Sequence, residues 1–390
     1  MTRKKTLEQE VRDFLEEILA DVPLARGHGA PDIFLSALLR AALFFPVFRN
    51  EPSPVVTDWL DEGQRIAREL GDRETLTLLR IRRAVVLMRR NELPAALWEL
   101  DALRADGLSD VSAPARGWEA ATRSRVQTRL QDFAAARQAL DEAEALHLDE
   151  DVWVSPLVRL ARGELQLETN EVHPAETSFR AVAKRLAFEL IEERVQALQS
   201  LAFLRITSVD APAALRLLEQ AREILRGAGV WSEVIQMDLT IGHFLLAAGR
   251  AAEAEELFAE AIGLCEEHPQ PQIEPVLHLG LSRARAAAGG DLRPAVDACV
   301  RAAVLFAEQG NALGYLSMIS VLHSLQLEQR DHRAAYQTLV IGSSLAKRWK
   351  IPLAEALLRS QIDRMRNEIL GPEAFDAMVE ELIREAKQET

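Results

Sequence analysis

Apolar residues recur along this chain with the period of a helix, and one small residue recurs with the period of a larger unit. Alanine stands at intervals of 39 to 41 residues, at Ala96, Ala136, Ala175, Ala214, Ala254, Ala295 and Ala335. Four residues after each alanine stands a second apolar column, formed by Leu100, Leu140, Phe179, Leu218, Phe258, Cys299 and Leu339. Because residues i and i+4 share a helix face, each segment predicts an amphipathic helix.

A second column of small residues lies twelve positions before the first five alanines, at Ala84, Ser124, Gly163, Ala202 and Gly242. Turn-forming and capping residues separate the two columns, at Asn91, Asp132, Asn170, Asp210, Gly249, Gly289 and Asp331. The pattern predicts helical hairpins whose first helices cover 74–89, 114–129, 151–168, 190–206, 232–247, 273–287 and 312–328. A helix over 55–70 precedes them, and helices over 353–370 and 373–386 form a last pair.

These columns resemble the signature of tetratricopeptide repeats (TPRs), which has a small residue in the first helix, then alanine and a bulky residue four positions later. The units differ from that signature in length, near 40 residues rather than 34, and they lack its aromatic residues. The longer variant resembles the solenoids of MalT-like and Rap-type bacterial regulators. The likeness covers residues 54–385 and implies an all-α, right-handed superhelix of about eight helical hairpins. HEAT-type repeats share the longer period and are the alternative.

The first 50 residues depart from the repeat. An apolar stripe is followed by a segment over residues 33–45 that is apolar on nearly every side and has to be covered on more than one face. We therefore predict an N-terminal helical pair over 1–50, a solenoid over 51–370 and a C-terminal capping helix over 371–390. The pair is expected to cap the first repeat. The alternative is that it binds a partner or forms a homodimer that buries Phe44 and Phe45 between two chains.

Charge and cysteine usage narrow the class of protein. The formal net charge of −14 opposes binding to a phosphate backbone, so we expect no nucleic-acid ligand. Cys265 and Cys299 are too few and too isolated to suggest a disulfide framework or a zinc site. Acidic residues interrupt the N-terminus where a signal peptide would be apolar, and no apolar stretch is long enough for membrane insertion. We expect a cytoplasmic protein.

Catalytic motifs are absent from the sequence. It contains no GxGxxG, GxxxxGK[ST], GxSxG or HExxH, and its eight histidines are dispersed. Adjacent acidic pairs such as Glu255–Glu256 are interpreted as solvated helix faces. We therefore predict a protein that is not an enzyme and that uses no cofactor or catalytic metal.

The resemblance implies that the first helices line a concave groove, and it places candidate binding residues there by position. These are Arg89, Trp118, Arg125, Arg129, Gln196, Gln199, Phe203, Gln236 and His243, together with Glu164, Glu168 and Arg283. The carboxylate clamp of chaperone cofactors is not supported, because Ile81 and Val85 stand where it needs lysine and asparagine. The arginines could form a basic patch for an acidic segment, or they could be ordinary ion-paired side chains.

The predicted function is therefore binding. The first hypothesis is an interaction scaffold or adaptor that holds a peptide or protein segment in the groove. The alternative is a regulator of the MalT-like or Rap-type kind, which changes conformation when a peptide or small molecule binds.

Overall fold

The structure is a computed structural model that describes residues 7–46, 54–184 and 190–388. Every regular element in these ranges is helical. Three helices precede the paired repeats: α1 (Leu7–His28), α2 (Pro31–Phe44) and α3 (Pro54–Leu70). The described chain divides into two compact units, Met1–Val234 (unit 1) and Ile235–Thr390 (unit 2). The predicted boundaries at residues 50 and 370 stay predictions.

Seven hairpins follow, as the alanine column predicted. Their first helices are α4 (Arg73–Arg89), α6 (Ala113–Arg129), α8 (Val154–Glu168), α10 (Ile191–Thr207), α12 (Trp231–Ala247), α14 (Glu274–Ala288) and α16 (Ala312–Glu328). Their second helices are α5 (Leu93–Ala105), α7 (Phe133–Glu144), α9 (Val172–Ala183), α11 (Ala211–Gly227), α13 (Ala251–Glu267), α15 (Arg293–Glu308) and α17 (His332–Arg348). The last pair is α18 (Pro352–Arg364), which continues into a π-helical turn (Met365–Leu370), and α19 (Pro372–Gln388).

The two predicted columns form the core of the hairpins. All seven alanines are 0% exposed, and the larger column four residues later is at most 5% exposed. Size is matched between helices: Phe179 packs where Gly163 leaves room, and Phe258 packs against both Gly242 and Gly280. Protein interiors are packed as densely as organic crystals, so a large ring on one helix requires a missing side chain on its neighbour.

Polar residues face the alanine column in the α14–α15 and α16–α17 hairpins. Ser282 is fully buried and donates its hydroxyl to the carbonyl oxygen of Ala295 at 2.7 Å. His323 places Nδ1 3.3 Å from the carbonyl oxygen of Ala335. Both groups therefore satisfy their own polarity against the backbone of the alanine they face.

The turns inside the hairpins repeat one geometry. Asn91, Asn170, Val209 and Gly249 all have a positive φ, between 62° and 74°, and each stands two residues after the end of a first helix. Asp210 then caps α11 by accepting a hydrogen bond from the backbone N–H of Ala213. A left-handed residue followed by an N-cap ends one helix and starts the next, which keeps the repeat length nearly constant.

The N-terminal helices pack inside unit 1. α2 contacts α3 and α4, and α1 contacts α2 and α11. Phe44 stacks on Trp153 with ring centroids 4.6 Å apart, and Phe45 meets Trp59 edge-on at 5.6 Å. Both rings therefore have partners within one chain. The homodimer stays a prediction that this packing does not favour.

Candidate functional site

Charged side chains from the first helices meet within unit 1. Arg125 is 2% exposed and donates from Nε to Glu164 Oε2 at 2.9 Å and from Nη2 to Gln196 Oε1 at 2.6 Å. Gln196 in turn donates from Nε2 to Glu164. Burial would raise the pKa of Glu164, but Arg125 and Arg129 lower it. These side chains of α6, α8 and α10 form one hydrogen-bonded cluster.

Arg89 and Arg129 stand at corresponding positions of adjacent repeats and flank this cluster. Arg89 Nη1 donates to Gln196 Oε1 at 2.6 Å, and Nη2 lies 4.0 Å from Glu193 Oε1. Burial and the nearby Arg125 lower the pKa of Arg89. Burial also lowers the pKa of Arg129, to about 10. The predicted basic patch is therefore packed against carboxylates and an amide of its own chain.

Arg82 connects α2 to α10. Its Nε donates to the carbonyl oxygen of Ala42 and its Nη2 to that of Phe45, both at 2.8 Å. Pro46 has no N–H, so the carbonyl of Ala42 lacks its usual helical donor and Arg82 supplies one. Nη2 also donates to Glu192 Oε1 at 2.5 Å, and Nη1 to Oε2 at 3.2 Å. The pair is almost completely buried, with side chains 3% and 5% exposed.

A cavity of about 270 Å³ lies beside this pair, within unit 1. Its apolar walls come from α2, α4, α6, α8 and α10 and from residues just before α8 and α10: Leu43, Phe44, Leu78, Trp118, Trp153, Val154, Leu157, Leu190 and Ile191. Its charged lining consists of Glu74, Arg82, Asp151, Glu192 and Glu193. Aromatic walls with a few charged groups are typical of a ligand pocket.

Three of the four carboxylates in the lining accept hydrogen bonds from other groups of the protein. Glu74 accepts hydrogen bonds from the backbone N–H and hydroxyl of Ser112. Asp151 accepts from the backbone N–H groups that open α8, at 2.7 and 2.9 Å. Glu192 pairs with Arg82.

Glu193 is different. Its side chain is 9% exposed, and no described residue donates a hydrogen bond to it; its nearest cationic partner is Arg89 Nη2, 4.0 Å away. Burial raises the pKa of Glu193, and the adjacent Glu192 raises it further, while Arg89 and Arg125 oppose the shift. A carboxylate facing a cavity therefore keeps unused acceptor capacity.

The other predicted groove residues do not lie together in the structure. Trp118 lines the cavity and packs against the buried contact between α6 and α8. Gln199 and Phe203 are exposed on α10, as Glu168 is on α8. Gln236 and His243 belong to unit 2, where the ring of His243 lies 5.7 Å from that of Phe258. Burial and the charge of Arg283 lower the pKa of His243.

Several lining residues were missed by the predictions from sequence. Arg82 stands two helical turns before Arg89 and shares its face, a spacing that could have revealed it. Glu192 and Glu193 open α10, where acidic residues are common because they complement the helix dipole, so their burial has no sequence signal. Phe44 and Trp153 meet from positions 109 apart in the chain, and no local pattern predicts that contact.

Metal-ligand clusters and membrane-spanning helices are both lacking among the described residues. Across residues 7–46, 54–184 and 190–388, side chains that could bind a metal do not gather in groups of three or more. Within those same ranges, every helix is too short or too polar to cross a bilayer.

The fold and its core columns define a TPR-like helical repeat protein. No protein-family model matches the sequence, and no curated protein matches it. The apo form of RapI is similar in structure, with a TM-score of 0.63 and 11% identity over 74% of this chain and 81% of RapI. A STAND-type signal-transduction ATPase with a tetratricopeptide repeat sensor, from Pyrococcus horikoshii, is similar over 91% of this chain and 55% of its own. Its TM-score is 0.61 and its identity is 11%. At such identities the similarity shows the fold, and it agrees with the TPR-like prediction.

Proposed function

We propose that this chain is a non-enzymatic regulatory protein that binds a small ligand or a peptide side chain in the cavity of unit 1. The observation that carries the proposal is the cavity itself, about 270 Å³ with aromatic and charged side chains in its lining. An apolar cavity of about 150 Å³ can hold benzene, so this one has room for a ring with a short polar extension.

A peptide lying along the first helices is the second candidate. Gln199 and Phe203 favour it, because both are exposed on α10 and free to contact an extended segment. Arg89, Arg125 and Gln196 count against it, because they already bond one another and Glu164. A peptide would have to replace those buried contacts, and breaking a buried ion pair costs about 3–5 kcal/mol.

The position of the cavity supports sensing over passive scaffolding. The C-terminal end of α2 lines the cavity, and Arg82 of α4 joins it to α10 through bonds to the carbonyl of Ala42 and to Glu192. A ligand there would contact both the N-terminal pair and the repeats, so its binding energy would depend on how α2 is seated. The repeats of the similar STAND-type protein are described as a sensor, which agrees with this proposal.

The test compares ligand-induced thermal stabilisation in three proteins. A library of small amines, acids, alcohols and short peptides is screened against the wild type. Hits are then measured against Trp153→Ala, which removes an aromatic wall, and Trp98→Ala, which removes a tryptophan that is 68% exposed on α5 and outside the cavity. We expect stabilisation to be lost in Trp153→Ala and kept in Trp98→Ala. Equal stabilisation of all three proteins would place binding elsewhere.

A further inference from the structure

Most of the charged side chains that line the cavity already have hydrogen-bond partners within the protein. Four of the five N–H groups of Arg82 donate to Glu192 or to the carbonyl oxygens of Ala42 and Phe45, and its charge is paired with that of Glu192. Glu74, Asp151 and Glu192 are also occupied. Glu193 is the carboxylate among the described lining residues that still lacks a hydrogen-bond donor.

We infer that the cavity binds a cation on an apolar stem, a primary ammonium or a guanidinium group, with Glu193 as its counter-charge. This rests on the proposed function, because it specifies the chemistry of the ligand that the same cavity receives. Phe44 and Trp153 form an aromatic wall with ring centroids 4.6 Å apart, and Trp118 lines the same space.

Electrostatics favours a cation over an anion in this space. The lining holds four carboxylates and one arginine, and the carboxylates remain in excess when Arg89 and Arg125, which act on Glu193 from outside the lining, are counted as well. Aromatic faces carry a negative quadrupole and attract cations, most strongly when both are shielded from water. An anion would meet four carboxylates and an arginine whose charge is already paired with Glu192, whereas an ammonium group would give Glu193 the charged hydrogen bond that it lacks.

Glu193 is costly to the protein in the absence of such a ligand. A carboxylate buried this deeply needs a paired charge or hydrogen bonds, and Arg89 at 4.0 Å is too distant to donate one. Burial and the neighbouring Glu192 accordingly raise its pKa. A ligand cation would reverse that shift by stabilising the ionised form.

Two sources could present this chemistry, a free amine and a lysine side chain of a peptide. The free-amine probe is 2-phenylethylamine, compared with its uncharged counterpart 2-phenylethanol. The peptide probe is Nα-acetyl-lysine methylamide, compared with its Nε-acetyl form. Dissociation constants are measured by tryptophan fluorescence on the full chain, for the wild type, Glu193→Gln and Glu168→Gln. Glu168 is an exposed acid on α8 outside the cavity, so it is the matched control.

We expect at least one charged probe to bind about 10-fold or more tightly than its neutral counterpart, the difference typical of a charge-assisted hydrogen bond. That preference should disappear in Glu193→Gln and persist in Glu168→Gln. The tighter of the two charged probes identifies the source.

Two results would overturn the inference. If charged and neutral probes bind equally and Trp153→Ala weakens both, the cavity binds ligands but does not select a cation, and the proposed function survives. If no charged probe binds, or if Glu193→Gln keeps the preference, Glu193 is not the counter-charge. Thermal unfolding of Glu193→Gln checks its folding, and a loss of binding with an undiminished midpoint supports the inference.

Discussion

The effect of Gly163→Ala on the free energy of unfolding should depend on the residue that packs against it at position 179. We expect destabilisation with phenylalanine there and stabilisation with leucine. A Cβ built on Gly163 would lie 2.7 Å from Cε1 and 2.9 Å from Cδ1 of Phe179, well inside ordinary contact distances of 3.4–4 Å. Phe179 is 0% exposed, so its ring has nowhere to move. Overpacking of this kind costs about 1–3 kcal/mol, whereas alanine gains about 1 kcal/mol over glycine inside a helix. Gly163→Ala should therefore destabilise the wild type by up to about 2 kcal/mol.

With leucine at position 179 the steric cost should vanish and the helix propensity should remain. Gly163→Ala made in Phe179→Leu should then stabilise the protein by up to about 1 kcal/mol. The double variant has alanine and leucine at the two positions, as the first hairpin has at the corresponding Ala84 and Leu100. The two effects differ by about 1–3 kcal/mol, the range expected for residues in direct contact.

The assay is a double-mutant cycle measured by urea unfolding, with hydrogen exchange in α8 and α9 as a local readout of the same repeat. Gly263→Ala is the matched control. No atom lies within 4 Å of a Cβ at that helical position, so alanine there should stabilise by about 1 kcal/mol. If Gly163→Ala has the same sign and size with phenylalanine and with leucine at position 179, the packing account of the columns is wrong.

Three further predictions concern single sites. Val209 is β-branched and has a φ of 62°, so Val209→Gly should raise the free energy of unfolding by about 1 kcal/mol, measured by urea denaturation. Burial raises the pKa of Cys265 and Cys299 to about 11, so at pH 8 only about one thiol in a thousand is ionised and a thiol reagent should label the folded protein slowly. The folded-state pKa of Glu193 lies above its unfolded value, so wild-type stability should fall relative to Glu193→Gln as pH rises from the ordinary glutamate pKa to the raised one.

A specific result would contradict each of these three predictions. Asn is tolerated at the same turn position in two other hairpins, so Val209→Asn should also stabilise, and a loss of stability in both variants would deny the strain. Labelling of either cysteine as fast in the folded as in the urea-unfolded protein would show that the thiols are accessible. A stability difference between wild type and Glu193→Gln that stays constant from pH 4 to pH 8 would mean that Glu193 has the same pKa in both states.

The sequence by itself determined the repeat. The alanine and bulky columns, the caps and the turn residues depend on contacts within one hairpin, and such contacts follow from helix periodicity and local backbone preferences. This is why the first helices of all seven hairpins begin and end within a few residues of their predicted positions. The matching of Phe179 with Gly163 was also present in the two columns, as large residues facing small ones.

Only the tertiary structure decided which polar residues are buried. Arg82 and Glu192 are 110 residues apart, and in the sequence they look like any solvated arginine and any acidic helix start. The same is true of Arg89, Arg125 and Gln196, which were correctly placed on the first helices but are bonded to one another. Their burial depends on side chains of α10 reaching those of α4 and α6. Contacts between distant repeats obey no local period, so the cavity, and the carboxylate of Glu193 that lacks a hydrogen-bond donor, could be located only in the packed structure.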